Sequence, residues 1–270
     1  FGSTDKKLCG CNIPILSMIG DQQSSGLGQF CINAGEVKAT FGTGCFILMN
    51  TGTNILRSKN KLLTTIAYKI DNKISYALEG SIFNSGTAVQ WLRDNLKIIK
   101  KSEDTQTLAS SIIDNNGVYF VPAFTGLGAP YWKPDARGAI YGLSRSSGPA
   151  EISRAVLESI AYQCTDLLDA MKSDGQKPRI MRVDGGMTSN DWLMQFLSNI
   201  SETPIEKSIN TESTSYGVAL LAAIGAGLIS SLEKSSKNWK VKKYYQPQMS
   251  KNKIEKNRNG WQQAINKTIM

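Results

Sequence analysis

The stretch at 20–50, GDQQSSGLGQFCINAGEVKATFGTGCFILMN, constrains the fold more than any other part of the chain. Two β-leaning runs, 37–41 and 45–49, flank Gly42-Thr43-Gly44. Such runs about a glycine-bearing turn predict a β-hairpin. The turn is almost bare backbone, so no side chain holds an anion away from its N–H groups, and a phosphate suits it. Upstream, 13–19 is apolar and predicts a strand that stops at Gly20-Asp21. That would set the Asp21 carboxylate at a strand's C-terminal edge, where α/β sheets hold ligands. Residues 22–35 predict a short helix with a glycine stop. Asp21 has a second reading as a helix N-cap. A carboxylate beside a phosphate-sized turn points to phosphoryl transfer.

Composition narrows the chemistry. At 270 residues with 41% hydrophobic content the chain can bury an ample core, as a soluble α/β enzyme would. No apolar run approaches the ~18 residues of a membrane span. The chain opens at Phe1 in a polar, glycine-containing loop and reads as a piece of a longer protein. Its five cysteines, Cys9, Cys11, Cys31, Cys45 and Cys164, are odd in number and scattered. They make no disulfide framework and favour a reducing compartment, the cytoplasm. Cys9-Gly10-Cys11 hints at metal, but the chain has no histidine and zinc wants four ligands. Without histidine, Ser-His and Cys-His mechanisms are closed to this chain, and acid–base work falls to carboxylates. Of the net charge of +9, +8 lies in 231–270, so the body is nearly neutral. A nucleic-acid enzyme spreads its basic stripe over the folded face, so no nucleic-acid partner is expected. A basic tail that grips DNA or RNA is the contrary reading.

The remaining elements follow from pattern. Residues 63–70 and 75–78 predict a second hairpin, and four strands joined mostly by short turns imply an antiparallel or mixed sheet. Ser85-Gly86 opens a helix with Val89, Leu92, Leu96 and Ile99 on one face. Gly86 and Gln90 share its first turn, read either as a small-residue packing contact or as an anion site at the helix start. Residues 100–116 read as polar and exposed, and 118–121 as a strand. The Gly/Pro/aromatic loop to Trp132 is either functional or a plug over the core. Residues 149–171 predict the longest helix, with Pro149 at its first position. Residues 180–183 predict a strand ending in Asp184-Gly185-Gly186, followed by a helix over 188–200 with Thr188 and Asp191 as a capping box. A short strand at Ile205 and an alanine-rich helix over 213–229 complete the body. The expected organisation is one domain over 1–230, then a basic tail over 231–270 with a terminal helix near 254–269.

With these residues in place, the chain resembles the C-terminal half of the glycerol-kinase branch of the FGGY carbohydrate-kinase family. The resemblance runs from about Ile13 to Gly227. It rests on Gly20-Asp21-Gln22-Gln23, on Phe41 through Phe46, on EGSIFNSGTAVQWLRD at 79–94, on 121–132, on 138–158 and on Val183 through Asn190. It implies an actin/hexokinase/Hsp70-like (ribonuclease H-like) α/β ATPase fold, a mixed sheet flanked by helices. It implies ATP-dependent phosphorylation of glycerol, with Asp21 as general base, Gln22 hydrogen-bonding the polyol and Phe46 packing on its carbon face. Gly42, Thr43 and Gly44 would cradle the phosphates, and Gly86, Gln90, Gly186 and Asn190 would line the ADP pocket. It also implies an N-terminal domain absent from this chain, which would bring the first phosphate loop, the Mg²⁺-associated aspartate and an Arg-Glu pair for glycerol. The complete enzyme would be a homo-oligomer, and this half alone inactive. One departure is Asn12, where some bacterial members have an arginine that binds a sugar-bisphosphate inhibitor. Other readings are a non-catalytic nucleotide-binding or interaction module, and a kinase for another polyol or ketose.

Overall fold

The computed structural model describes residues 1–237 and 239–270. One turn of helix, α1 (Lys6–Cys9), opens the chain with Asp5 as its cap. The strand expected over 13–19 does not form. Pro14 makes only an isolated bridge to Ser3, and Ile13 and Met18 are exposed. Proline has no N–H to give a ladder, so this run is an extended approach to α2 (Asp21–Gly28).

The predicted hairpin is β1 (Glu36–Phe41) and β2 (Cys45–Gly52), with Phe41 opposite Cys45 at the turn. The second pair is β3 (Leu63–Ile70) and β4 (Lys73–Ile82). Then come α3 (Gly86–Asp94), α4 (Asp104–Ser110), β5 (Tyr119–Val121), β6 (Ala139–Tyr141) and α5 (Pro149–Ser173). The chain continues through β7 (Ile180–Asp184), a 3₁₀ turn (Gly186–Ser189), α6 (Asp191–Ser201), β8 (Ile205–Ser208) and α7 (Ser213–Gly225). It ends with α8 (Leu232–Ser236), β9 (Val241–Tyr245) and α9 (Lys251–Ile269). The main sheet has the order β3-β4-β2-β1-β7-β8-β9, and β5 with β6 makes a separate ribbon. β1, β7 and β8 run parallel, and the other neighbours in the main sheet are antiparallel. This is the mixed sheet that the run of short turns implied.

Strand alternation sorts the sheet's two faces. Val37, Ala39, Phe41, Ile47 and Met49 join α5, α6 and α9 in the main core. Lys38, Leu48 and Glu79 fall on the opposite face, where α2 lies with α7 behind it. α2 and α7 touch backbone to backbone. A Cβ on Gly217 would stand 1.9 Å from the Ser24 carbonyl oxygen. A Cβ on Gly28 would stand 1.8 Å from that of Ser213. These two glycines let α7 fix α2, and α2 begins at Asp21.

Four expectations need correction. α3 stops at Asp94, so Leu96 is exposed, while Ile99 reaches the main core from the loop that follows. The segment at 100–116 holds α4, which buries Thr105 and Ala109. The cap of α6 is Asn190, whose side chain accepts from the Leu193 N–H, and Thr188 instead donates to the Gly185 carbonyl. The segment at 231–270 is no free tail. β9 pairs with β8, and α9 sends Ile254, Trp261, Ala264 and Ile265 into the main core. Its lysines sit on an edge strand and on the outer face of a helix, where charge blocks further strand pairing.

Candidate active site

The β1–β2 turn is the centre of the site. The Gly42 N–H donates to the Gly44 carbonyl at 2.9 Å, which closes the turn. The Thr43 and Gly44 N–H groups find no acceptor among the described residues. The start of α3 docks against this turn. Ser85 and Gly86 donate their N–H groups to the carbonyls of Thr43 and Gly42, at 2.9 and 3.0 Å, and Thr87 donates to Thr43 at 3.1 Å. The first amides of α3 are therefore already used, which decides between the two readings of Gly86. It is a packing contact, since a Cβ there would stand 2.6 Å from the Gly42 oxygen, and the free donors belong to the turn.

A cavity of about 410 Å³ opens beside this junction. Its walls are Phe41, Gly42 and Thr43 from the turn, Gly86 and Gln90 from α3, and Gly186, Met187, Ser189 and Asn190 from the segment after β7. Ser102, Glu103 and Gln106 close the far side. Those three were missed in the sequence, because α4 itself carries only Leu108 and Ala109 as apolar residues, too short a stripe to announce a helix. α4 is held in place through polar contacts to the start of α6: Gln106 accepts from the Asp191 N–H at 2.7 Å, and Asn190 Nδ2 reaches Thr105 Oγ1 at 3.3 Å. The side chain of Asn190 is thus spent on capping and bracing. The two glycines after Asp184 divide their work. Gly185 has φ +89, and a Cβ on it would stand 2.3 Å from the Phe41 oxygen, so only glycine suits the strand exit. A Cβ on Gly186 would meet nothing within 4 Å, so this second glycine faces open space. Gly44 is not on the cavity wall; a Cβ there would meet the Ile82 oxygen at 2.5 Å.

The expected acceptor-side residues lie on the α2 face. Asp21 is the first residue of α2, not its cap, which is Gly20. It is exposed, and its Oδ1 accepts only the neighbouring Gln22 N–H, at 2.8 Å. A carboxylate at this position is favoured by the helix dipole and left free for other work. Gln22 is half-buried, and its Oε1 accepts from Lys38 Nζ at 2.5 Å. Phe46 is 42% exposed; it lies opposite Thr40 on β1 and Ser81 on β4. Burial raises the Glu79 carboxyl above the usual range against the pull of Lys38, and the Asp21 charge adds to the rise. Burial lowers Lys38, and Asp184 is the leading charge that opposes it. Asp184 is buried and accepts through Oδ2 from Ser25 at 3.3 Å and from Ser213. Lys38 and Asp184 were not singled out as site residues in the sequence.

Residues 37–226 match the C-terminal domain of the FGGY family of carbohydrate kinases. The chain belongs to this family. A glycerol kinase of Coxiella burnetii is 51% identical over 269 residues, covering 100% of this chain and 54% of that protein. A glycerol kinase of Sinorhizobium fredii is 52% identical over 273 residues, covering 100% of this chain and 55% of its own length. The crystal structure of Plasmodium falciparum glycerol kinase with ADP superposes with a TM-score of 0.93 at 39% identity, over 99% of this chain and 54% of that one. A xylulose kinase from Lactobacillus acidophilus shares the fold at a TM-score of 0.77 and 24% identity, over 91% of this chain and 48% of that one. The FGGY fold is that of the actin-like ATPases, an α/β mixed sheet flanked by helices. The chain spans about half the length of the curated relatives it matches. Among the described residues, no helix is long and apolar enough to cross a membrane.

Proposed function

We propose that this chain is the C-terminal half of an ATP-dependent glycerol kinase that works in the cytoplasm. The observation that carries the reading is the junction at Gly42-Thr43-Gly44. The turn offers N–H groups that have no acceptor among the described residues, walls the cavity at 41–43 and leads within two residues to Phe46 on the α2 face. Phosphoryl transfer needs such an arrangement, because positioning and charge stabilisation carry most of its rate. In this reading ATP lies in the cavity with its phosphates at the Thr43 and Gly44 amides. Gly86, Gln90 and Gly186 line the nucleotide, and Asn190 braces that wall. Phe46 packs on the polyol's carbons, Gln22 hydrogen-bonds a hydroxyl, and Asp21 takes the proton as the hydroxyl oxygen attacks the terminal phosphorus, whose bond to the bridging oxygen breaks to release ADP.

Mg²⁺ bound to the phosphates would supply charge neutralisation there. Among the described residues no group of three His, Cys, Asp or Glu side chains stands together, so those residues hold no full ligand set. Magnesium commonly takes one or two carboxylates plus phosphates and water, and the carboxylate would come from the N-terminal domain of the complete enzyme. That domain would also supply the other phosphate loop and the remaining polyol contacts, and the complete enzyme would act as a homo-oligomer.

The test compares the purified 270-residue chain with the full-length protein. The full-length protein is expected to phosphorylate glycerol from ATP, and the 270-residue chain to show no turnover, since each lost positioning group costs several kcal/mol of barrier, roughly. Glycerol turnover by the short chain well above a mock preparation would reject the half-cleft reading. A full-length protein that ignores glycerol and phosphorylates another polyol would reject the substrate.

A further inference from the structure

Lys38 sits in the middle of the sheet and is 1% exposed. Lysine is rarely buried without a partner, because its ammonium loses its water unless hydrogen bonds and opposite charge replace it. Its neighbours Val37 and Ala39 point into the main core, and Lys38 points to the α2 face. The charged and titratable groups around it are Asp184 on β7, Cys45 on β2, Cys31 after α2 and Glu79 on β4, with Asp21 of α2 beside Glu79. No carboxylate comes within ion-pair distance among the described residues. Its hydrogen bond goes to the neutral Gln22 Oε1 instead.

That bond has a direction. An ammonium has three donors and no acceptor, so it can hold only the oxygen end of a carboxamide. A flip of Gln22 would turn its N–H₂ against the Lys38 ammonium. With Oε1 turned toward Lys38, Gln22 presents its Nε2 donors on the side away from the lysine. We propose that Lys38 is a positioning residue of the acceptor site: it locks the Gln22 carboxamide so that Nε2–H₂ faces the substrate, which must then present a hydroxyl lone pair there. This rests on the reading of Gln22 as a polyol ligand. It also explains a costly burial, since an apolar residue at 38 would fill the sheet without desolvating a charge.

The experiment uses the full-length protein and a cycle of Lys38→Met, Gln22→Ala and the double variant, with KM for glycerol, kcat, KM for ATP and thermal unfolding measured on each. Lys38→Met is expected to raise the glycerol KM about tenfold, the size of one lost hydrogen bond to a charged group, with kcat and the ATP KM within a few-fold. Its unfolding temperature should stay level or rise, which a merely structural lysine would not give. The double variant should be no worse than Gln22→Ala alone, because Lys38 acts through Gln22. An unchanged glycerol KM in Lys38→Met, or losses that multiply in the double variant, would overturn the proposal. If Lys38→Met does not fold, wild type and Gln22→Ala still decide. The ¹⁵Nζ resonance of Lys38 should move on adding glycerol in wild type and stay fixed in Gln22→Ala, and no movement in wild type would overturn the proposal equally. Wild-type turnover tests the functional reading separately. If wild type does not phosphorylate glycerol, both fall; if it does and Lys38→Met matches it, only the role of Lys38 falls.

Discussion

Asp21 is exposed, begins a helix that α7 holds in place, and spends one oxygen on an adjacent N–H. Asp21→Asn keeps that local acceptor and removes only the proton-accepting charge. In the full-length enzyme kcat should therefore fall ~10²–10⁴-fold, the usual worth of a general base, with nucleotide affinity and thermal stability nearly unchanged. Near-normal turnover in this variant would reject the base assignment. In the sequence, Asp21 was marked by its place at the end of an apolar run, and Gln22 and Phe46 only by the family resemblance that their proposed roles follow. Lys38 was not. In Val37-Lys38-Ala39 a lysine at an alternate position reads as a solvent-facing strand residue. Its burial comes from α2, a separate segment, lying over that face, and no local pattern carries such information.

Between elements, the backbone contact of α2 with α7 decides where the candidate base stands. Gly217→Ala would put a methyl 1.9 Å from the Ser24 oxygen, so the helices must separate. Overpacking of this kind costs about 1–3 kcal/mol or more. The expected outcome is a lowered unfolding temperature and a kcat loss larger than any change in ATP affinity, since the cavity proposed for the nucleotide has no residue on either helix. An unaltered melting curve would show that the contact is not as tight as described. A second joint ties α9 and the aromatic loop to α5: Asp166 Oδ2 accepts from Tyr131 at 2.8 Å and from Trp261 at 2.7 Å. Burial raises the Asp166 carboxyl to about 7. In the folded protein it keeps its proton from the ordinary carboxylate range near pH 4 up to about 7, where the unfolded chain has lost it. The folded state then binds more protons, so this group's contribution to stability falls as pH rises through that window. Asp166→Asn retains an acceptor oxygen and does not titrate. Its unfolding temperature relative to wild type should rise between pH 4 and 7 and level off above, and a flat difference would refute the shift. The paired strands and long helices behind these joints were readable from period and turn chemistry. The capping of α6 by Asn190 and the end of α3 at Asp94 were not, because terminal residues answer to neighbours brought in by the fold.

For the molecule as a whole, the C-terminal segment shows how charge can hide a structural role. Residues 231–270 carry ten Lys/Arg against two Asp/Glu, a composition that suggests solvation. Yet Trp261 stacks on Tyr162 at 5.3 Å, and Ile254, Ala264 and Ile265 are buried with it. Each large apolar side chain of this kind contributes about 1.5–3 kcal/mol when fully buried. Together they rival the 5–15 kcal/mol, roughly, that separates a folded domain from its unfolded chain. Removing 251–270 should therefore leave a protein without a cooperative unfolding transition and with rapid proteolysis around Tyr162. By contrast, charge reversal at Lys251 and Lys256, both exposed, should shift stability by no more than about 0.5 kcal/mol. If the segment were a solvated tail, the truncated chain would melt like the intact one. The two variants separate the charge of this segment from its packing, and the packing is what closes the core beneath α5.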